Sequence, residues 1–506
     1  MRTEASVRGL LAALCLGIAA QAPAADTKRY EPTWESIDSR PTPAWWSDAK
    51  FGIFIHWGVY SVPAFAPKGE YAEWYWNRLA APPANDLPAN EARIRRETRE
   101  FHERVYGKDF PYFDFAPAFR AEMFDADQWA ATFKRSGAKY VVLVSKHHDG
   151  FALWPSRQAN ESWGRRWNAV DEGPHRDLAG ELTTAVRKQQ LEMGFYFSLY
   201  EWFNPLWADK QYEKYVRQHV FPQFKDLVTR YSPSVIFSDG EWELPSGQWH
   251  APELLAWLYN DSPVADKVVV NDRWGRETRH HHGGYYTTEY GAGLPGATHP
   301  WEENRGIGFS YGYNRNENLD DYSTGPRLLL TLLDTVSRGG NLLLNVGPTA
   351  DGRIPVLMQE RLAYLGRWLA SNGEAIYGTR TFRDGAQWTA GRRQEVDTST
   401  NYRAKYDVEQ LTLHPAPGDA RKEILFTRKD QTLYAILPRY PTGTLTIRNL
   451  QLPKSGRIGL LGSRHTDVRW RQEGKDVIVT LPSLADSELP FDGPRTLKIE
   501  GATGIG

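Results

Sequence analysis

Cysteine is all but missing. The 506 residues contain one, Cys15, so a chain cleaved beyond it has no disulfide and no thiolate for metal or redox chemistry. Charge of one sign is also missing. The formal net charge is −1, which argues against nucleic acid or an anionic membrane as a partner. No run of 18 apolar residues follows the N-terminal segment, so no membrane-spanning helix is predicted. No repeat of 20–50 residues is visible, which argues against a solenoid or propeller. What the chain does have is aromatic side chains, with 20 Trp and 25 Tyr. Rigid flat rings suit stacking on sugars, although they serve ordinary cores equally well.

The N-terminus reads as an export signal. Arg2 and Arg8 supply positive charge, Leu10 to Ala20 is apolar but too short to span a bilayer, and Ala22-Pro23-Ala24 offers a cleavage site. Leu14 precedes Cys15, where a lipidated cysteine needs a small residue. The expectation is a leader over 1–25 and a mature protein in a bacterial periplasm or outside the cell.

Length suggests two to three domains. Between residues 26 and 378, strand-like runs alternate with helical ones. The strands are Gly52–His56, Tyr140–Val144, Gly194–Ser198, Val235–Ser238, Val268–Val270 and Asn341–Asn345. Tyr140-Val-Val-Leu-Val144 is continuously apolar, as in a parallel strand buried on both faces. Helices are predicted over 178–191, 212–228, 254–259, 328–336 and 356–369, the last closed by the C-cap pair Asn372-Gly373. Residues 86–106 read as a charged, solvated rim helix, and 280–302 as a long irregular stretch. This alternation fits a (β/α)8-like TIM barrel or a doubly wound sheet. The barrel is favoured because every polar cluster follows a strand, where barrels bind ligands. Residues 379–506 change to alternating runs such as Thr432–Leu437 and Thr444–Ile447, read as a C-terminal antiparallel β-sandwich domain.

The organising stretch is Val235-Ile-Phe-Ser-Asp-Gly-Glu-Trp242, a short strand that delivers Asp239 to a sheet edge. Asp-Gly alone is a turn signal. In this position it also presents a carboxylate on a rigid support among aromatics, as a glycosidase nucleophile requires. Glycoside cleavage needs a second carboxyl nearby. Glu201, Glu241, Glu243, Glu289, Glu302 and Glu303 are the candidates, and spacing cannot choose among them. His147-His148, His56 and His281-His282 admit a metal reading, but no H-E-x-x-H pattern exists and adjacent side chains diverge on an extended chain. Hydrogen bonds from imidazoles to sugar hydroxyls fit better. Arg273, at another strand end, suits a fork that orients hydroxyls.

Taken together these residues resemble the α-L-fucosidases of glycoside hydrolase family 29, from about Trp45 to Tyr377. The matching stretches include Ala49-Lys-Phe-Gly-Ile-Phe-Ile-His-Trp-Gly-Val-Tyr-Ser61, Lys146-His-His-Asp-Gly-Phe151, Trp154-Pro-Ser156, Gly173-Pro-His-Arg-Asp-Leu178, Ser238-Asp-Gly-Glu-Trp242, Val270-Asn-Asp-Arg-Trp-Gly275 and Gly339-Gly-Asn-Leu-Leu-Leu-Asn-Val-Gly-Pro348. Tyr-Asn-Asp-Ser-Pro at 259–263 is shared even with lysosomal animal members. The resemblance implies a retaining exo-α-L-fucosidase that needs no metal or cofactor and acts on fucosylated oligosaccharides or glycoconjugates. Its nucleophile falls on Asp239. Its acid/base falls on Glu289, in a Glu-Tyr shortly after Gly-Gly-Tyr-Tyr, with Glu302 in Pro-Trp-Glu as the alternative.

The same resemblance implies that His56, Glu73, Trp74, His147, His148 and Arg273 hold the hydroxyls and ring. Phe54, Tyr196, Phe237 and Tyr311 would wall the C5 methyl, whose burial contributes roughly 0.8 kcal/mol. Phe237 stands where the family usually has Trp. The alternative readings are a metal-dependent hydrolase using the histidine pairs and a non-catalytic fucose- or galactose-type sugar-binding barrel. A homo-oligomer is compatible with the sequence, which leaves the natural glycan open.

Overall fold

In the computed structural model the described residues are 28–80, 87–294, 296–394, 403, 406–485, 491 and 493–504. The leader reading over 1–25, with Arg2, Arg8 and Cys15, lies outside them. Among the described residues no helix is long and apolar enough to cross a membrane.

Eight parallel strands curl into a barrel-like sheet: β1 (Phe51–Ile55), β2 (Tyr140–Lys146), β3 (Glu192–Ser198), β4 (Val235–Asp239), β5 (Val269–Val270), β6 (Tyr286–Glu289), β7 (Trp301–Gly306) and β8 (Asn341–Val346), in the spatial order 5-4-3-2-1-8-7-6. This is the barrel rather than the doubly wound sheet. β6 and β7 occupy the stretch read from sequence as irregular. Tyr-Thr-Thr-Glu and Trp-Glu-Glu-Asn-Arg-Gly carry polar residues on both faces and lack the apolar alternation that marks a strand.

The barrel explains why the other strands look continuously apolar. Along β2, Val141 and Leu143 pack outward against the helices, while Tyr140, Val142 and Val144 fill the interior. Both faces are therefore dry. Each buried aliphatic side chain contributes about 1.5–3 kcal/mol over exposure. β5 and β6 form no ladder. Instead the Gly284 and Tyr285 N–H groups both donate to the Val270 carbonyl (3.1 and 3.2 Å). Asp272 adds a stitch across this seam, accepting from the N–H groups of His280 (3.0 Å) and Thr287 (3.1 Å) and from the Thr287 hydroxyl (2.7 Å). Gly283 is required here, because a Cβ would lie 2.3 Å from the Asn271 carbonyl oxygen and φ is +104°.

Two helices depart from the sequence reading. The 212–228 helix is interrupted by a π-turn over Val216–Val220, which turns His219 inward. Gly373 at the end of Val356–Asn372 has φ −59°, so it does not supply the left-handed cap. The chain continues into a 3-10 turn instead.

Beyond the barrel, β9 (Arg380–Trp388), β10 (Lys422–Lys429), β11 (Thr432–Leu437), β13 (Arg457–Leu460) and β16 (Arg495–Glu500) form one antiparallel sheet. β12 (Thr444–Ile447), β14 (Trp470–Glu473) and β15 (Asp476–Thr480) form a second. Residues of both sheets share one core, including Ile424, Phe426, Leu433, Ile447 and Val477. This unit is fastened to the barrel helix Gly325–Ser337, where buried Asp334 accepts from Lys422 and Tyr406 and pairs with Arg338 at 2.9 Å.

Candidate active site

Strand parity places the key side chains. Alternate residues share a face, so Asp239 follows Phe237 onto the inner face of β4, His56 follows Phe54 at the end of β1, and Glu289 follows Thr287 on β6. Gly240 then lets the chain leave the barrel. Its φ is +75°, and a Cβ would lie 3.0 Å from the Tyr200 backbone nitrogen.

The inner side chains converge on a cleft of about 590 Å³ at the C-terminal ends of the strands. Phe54, His56, Glu73, Trp74, His147, His148, Tyr196, Phe237, Asp239, Arg273, Glu289 and Tyr311 all line it. Glu302 does not. It shares the inner face of β7 with Asn304, which does line the cleft. At about 3.3 Å per residue Glu302 sits roughly 6.6 Å deeper. There it is fully buried and accepts from the Tyr140 hydroxyl, and burial pushes its carboxyl up to about 8.

The other candidate carboxylates do not line the cleft either. Glu201 is buried among Lys146, His219, Trp163 and Asn204. Glu243 is exposed. Glu303 accepts from Thr288, Arg305 and the Gly291 N–H. Glu241 pairs with Arg279 at 2.5 Å.

Asp239 and Glu289 share one guanidinium. Arg273 donates from Nη1 to Asp239 Oδ1 (2.9 Å) and from Nη2 to Glu289 Oε2 (3.3 Å), while its Nε donates to the Thr287 hydroxyl (3.0 Å). All three donors are fixed, so the fork is held rigid. Tyr196 donates to Asp239 Oδ2 (2.9 Å), and Arg279 approaches Oδ1 at 3.7 Å. Burial, the largest single influence, would raise the Asp239 pKa, but the charges and hydrogen bonds around it, Arg273 foremost and Arg279 with it, together outweigh burial and hold the carboxyl below its usual range. Tyr196 therefore does more than the apolar wall read from sequence. Its ring lies nearly parallel to Phe237 (6.0 Å, 18°), while its hydroxyl orients the carboxylate.

The three histidines are kept neutral by burial. That of His56 is lowered to about 3, that of His148 to about 4, and that of His147 falls well below the usual value. His56 Nδ1 lies 2.7 Å from Asn345 Oδ1, and Asn345 Nδ2 donates to the Tyr311 carbonyl (2.7 Å). The amide is thus oriented, so His56 Nδ1 carries the proton and Nε2 is left as an acceptor. In the same way Ser198 donates to the Tyr200 carbonyl (2.5 Å), so the 2.6 Å contact makes His148 Nδ1 the donor. His147 stands face to face with Tyr196 (5.6 Å, 6°). Glu73 accepts from the Gly312 N–H (2.8 Å), and burial raises it to about 7. Trp74 and Trp242 stack at the rim (6.3 Å, 22°). Neutral imidazoles, a carboxyl that exchanges protons near neutrality and aromatic faces make a lining suited to a hydroxylated ring. Among the described residues no group of three or more His, Asp or Glu is arranged to hold a metal ion.

The structure adds residues that sequence reasoning missed. Tyr71 donates to Glu289 Oε1 (2.8 Å). It stands two residues before Glu73, which is the only sequence signal for it. Arg279 lies beside the His280–His282 run without a periodic pattern to mark it. Asn90, Glu91, Ile94 and Arg95 line the cleft from the helix Ala89–Val105, so one face of that helix is not merely solvated rim. Arg403 reaches the cleft from beyond the barrel.

Comparison with known proteins places the chain among its relatives. Residues 17–374 match the family model described as alpha-L-fucosidase, and 419–500 match the alpha-L-fucosidase C-terminal domain. The chain is 41% identical over 488 residues to the tissue alpha-L-fucosidase of Bos taurus, covering 94% of this chain and 92% of that protein. It is 48% identical over 489 residues to the plasma alpha-L-fucosidase of Rattus norvegicus, covering 94% and 95%. Among solved structures, the Thermotoga maritima alpha-fucosidase in complex with fucose superposes with a TM-score of 0.70 at 34% identity, covering 93% of this chain and 100% of that one.

Proposed function

Because the chain belongs to the α-L-fucosidase family, glycoside hydrolase family 29, we propose that it is a retaining exo-α-L-fucosidase in which Asp239 is the nucleophile and Glu289 the acid/base. The observation that carries this reading is the single Arg273 guanidinium bonded to both carboxylates at the barrel mouth. Arg273 and Tyr196 keep Asp239 ionised and aimed. Asp239 attacks C1 while Glu289 protonates the departing glycosidic oxygen. This leaves an ester between C1 and Asp239. Glu289 then takes a proton from water, which attacks C1 and releases fucose with its configuration retained.

In this reading the Nε2 lone pairs of His56 and His148 accept from sugar hydroxyls. The rings of Phe54, Phe237 and Tyr311 leave no partner for a 6-hydroxyl, which favours the 6-deoxy sugar. The fucose bound by the Thermotoga maritima relative supports the choice of sugar. The same proposal divides the chain into a leader (1–25), a catalytic barrel (26–378) and a β-sandwich (379–506), with export to the periplasm or exterior.

Azide tests the assignment. Glu289→Ala should lose turnover of glycan substrates and, with azide, yield fucosyl azide of retained configuration from an aryl fucoside. Asp239→Ala should be inactive and yield the inverted azide from fucosyl donors. Rescue of Glu302→Ala but not Glu289→Ala would overturn the choice of acid/base, and full activity in Asp239→Ala would overturn the whole reading.

A further inference from the structure

Arg403 comes from beyond the barrel, yet it meets the candidate acid/base residue directly. Its backbone N–H donates to the Glu289 carbonyl (2.9 Å). Its guanidinium lies 4.9 Å from the ring centre of Tyr71 and 4.6 Å from that of Phe309. Tyr71 is the residue whose hydroxyl donates to Glu289 Oε1 (2.8 Å). Arg403 therefore grips Glu289 twice, once through the main chain and once through the phenol that orients its carboxyl. Glu70 approaches the guanidinium at 3.7 Å and is itself fixed by Arg78 at 3.1 Å.

The backbone at this point is costly. Arg403 has φ +50° and Tyr290, next to Glu289, has φ +47°. Both lie in the left-handed region that side chains disfavour, and such strain collects where surrounding structure imposes it for function. Three residues on, Tyr406 is tied to buried Asp334 together with Lys422 of β10. The grip on Glu289 is thereby anchored in the β-sandwich.

We propose that Arg403 is a positioning residue for Glu289, so that proton delivery to the leaving group depends on both halves of the chain. This rests on the reading of Glu289 as acid/base. A cation over the Tyr71 ring restrains that ring, and the ring's hydroxyl fixes the carboxyl rotamer. Loss of the guanidinium frees Tyr71 and leaves the carboxyl misaligned with the departing oxygen, while Asp239 and the sugar subsite are untouched.

The test compares substrates that need the acid with one that does not. Arg403→Ala, Arg403→Lys, Tyr71→Phe and Glu289→Ala are assayed on a fucosylated disaccharide and on 2,4-dinitrophenyl α-L-fucoside, whose leaving group departs without a proton. Arg403→Ala should lower kcat/KM on the disaccharide about 10- to 100-fold, within the range of general acid catalysis. It should change the dinitrophenyl substrate by less than about threefold. Arg403→Lys should recover most of the loss, and Arg403→Ala combined with Tyr71→Phe should be less than additive. Equal losses on both substrates, or no loss on either, would overturn the inference provided Glu289→Ala shows the leaving-group dependence. If Glu289→Ala lacks that dependence, the acid/base assignment itself fails. Should Arg403→Ala not fold, Arg403→Met, which keeps the side-chain length without the charge, and Tyr71→Phe decide the matter by the same two substrates.

Discussion

Replacing Arg273 with Met should move the acidic limb of the pH profile upward. In the wild-type protein Arg273 stands 2.9 Å from Asp239 and holds its carboxyl below the usual range. With charge centres roughly 4 Å apart and an effective dielectric of about 20, that pair contributes on the order of 4 kcal/mol. At 1.36 kcal/mol per pH unit this corresponds to about 3 units. Arg279, at 3.7 Å from the same carboxyl, remains in the variant, and water enters the gap. The net expectation is a rise of about 2 units. Since the nucleophile must be ionised, kcat/KM in Arg273→Met should fall on acidification at a pH about 2 units above the wild-type limb.

Stability gives a second readout with a definite sign. In the wild type the depressed carboxyl contributes stability above the unfolded value, near pH 4, and that contribution is lost as pH falls through the folded value. In the variant a rise of about 2 units brings the carboxyl from about 2 to near the unfolded value, so its pH-dependent contribution to stability should largely vanish. Urea unfolding at several pH values measures this independently of activity. An acidic limb displaced by less than about half a unit, together with an unchanged pH dependence of unfolding, would refute the claim that Arg273 sets the charge of Asp239.

Two further outcomes follow from buried carboxyls outside the cleft. Glu302, raised to about 8 by burial at the barrel floor, is protonated at neutral pH, and Glu302→Gln mimics that form. Activity should stay within about threefold. Glu302 should make wild-type stability decline as pH rises between the unfolded value near 4 and the folded value near 8, by up to about 1.4 kcal/mol per unit, and in thermal or urea unfolding the glutamine variant should show a slope shallower by that amount. Glu201→Gln leaves Lys146 and His219 without their shared carboxylate, and removing one partner of a buried pair costs about 3–5 kcal/mol. A midpoint in chemical denaturation equal to wild type would refute that network's structural role.

Much of the barrel was legible because its central strands obey a simple rule. Continuous apolar runs such as Tyr140–Val144 are what a doubly covered parallel strand requires, and polar clusters after them mark the mouth. β6 and β7 carry no hydrophobic period, because Thr288, Glu303 and Asn304 satisfy one another inside the protein while Thr287 pairs with Asp272 and Glu302 with Tyr140. Read as a loop, 280–302 offers no geometric reason to prefer Glu289 over Glu302, and only the family resemblance favours Glu289. Once both lie on strands, their heights along the barrel separate them, Glu289 at the rim and Glu302 beneath Asn304. The Ala89–Val105 helix was misjudged for a related reason, since a highly charged helix does not reveal which of its faces borders a cleft.

The sequence by itself determined the strand-to-helix alternation, the family resemblance and the placing of Asp239 at a strand end. Those depend on local composition and on spacing along the chain. Only the tertiary structure decided which carboxyl shares Arg273 with Asp239, which nitrogens of His56 and His148 face the cleft, and that Arg403 from beyond the barrel lies against Glu289. These relations join residues 16 to over 100 positions apart. Such pairs are selected by strand height, side-chain parity and the closing of the β5–β6 seam, none of which is written in any single stretch of the chain.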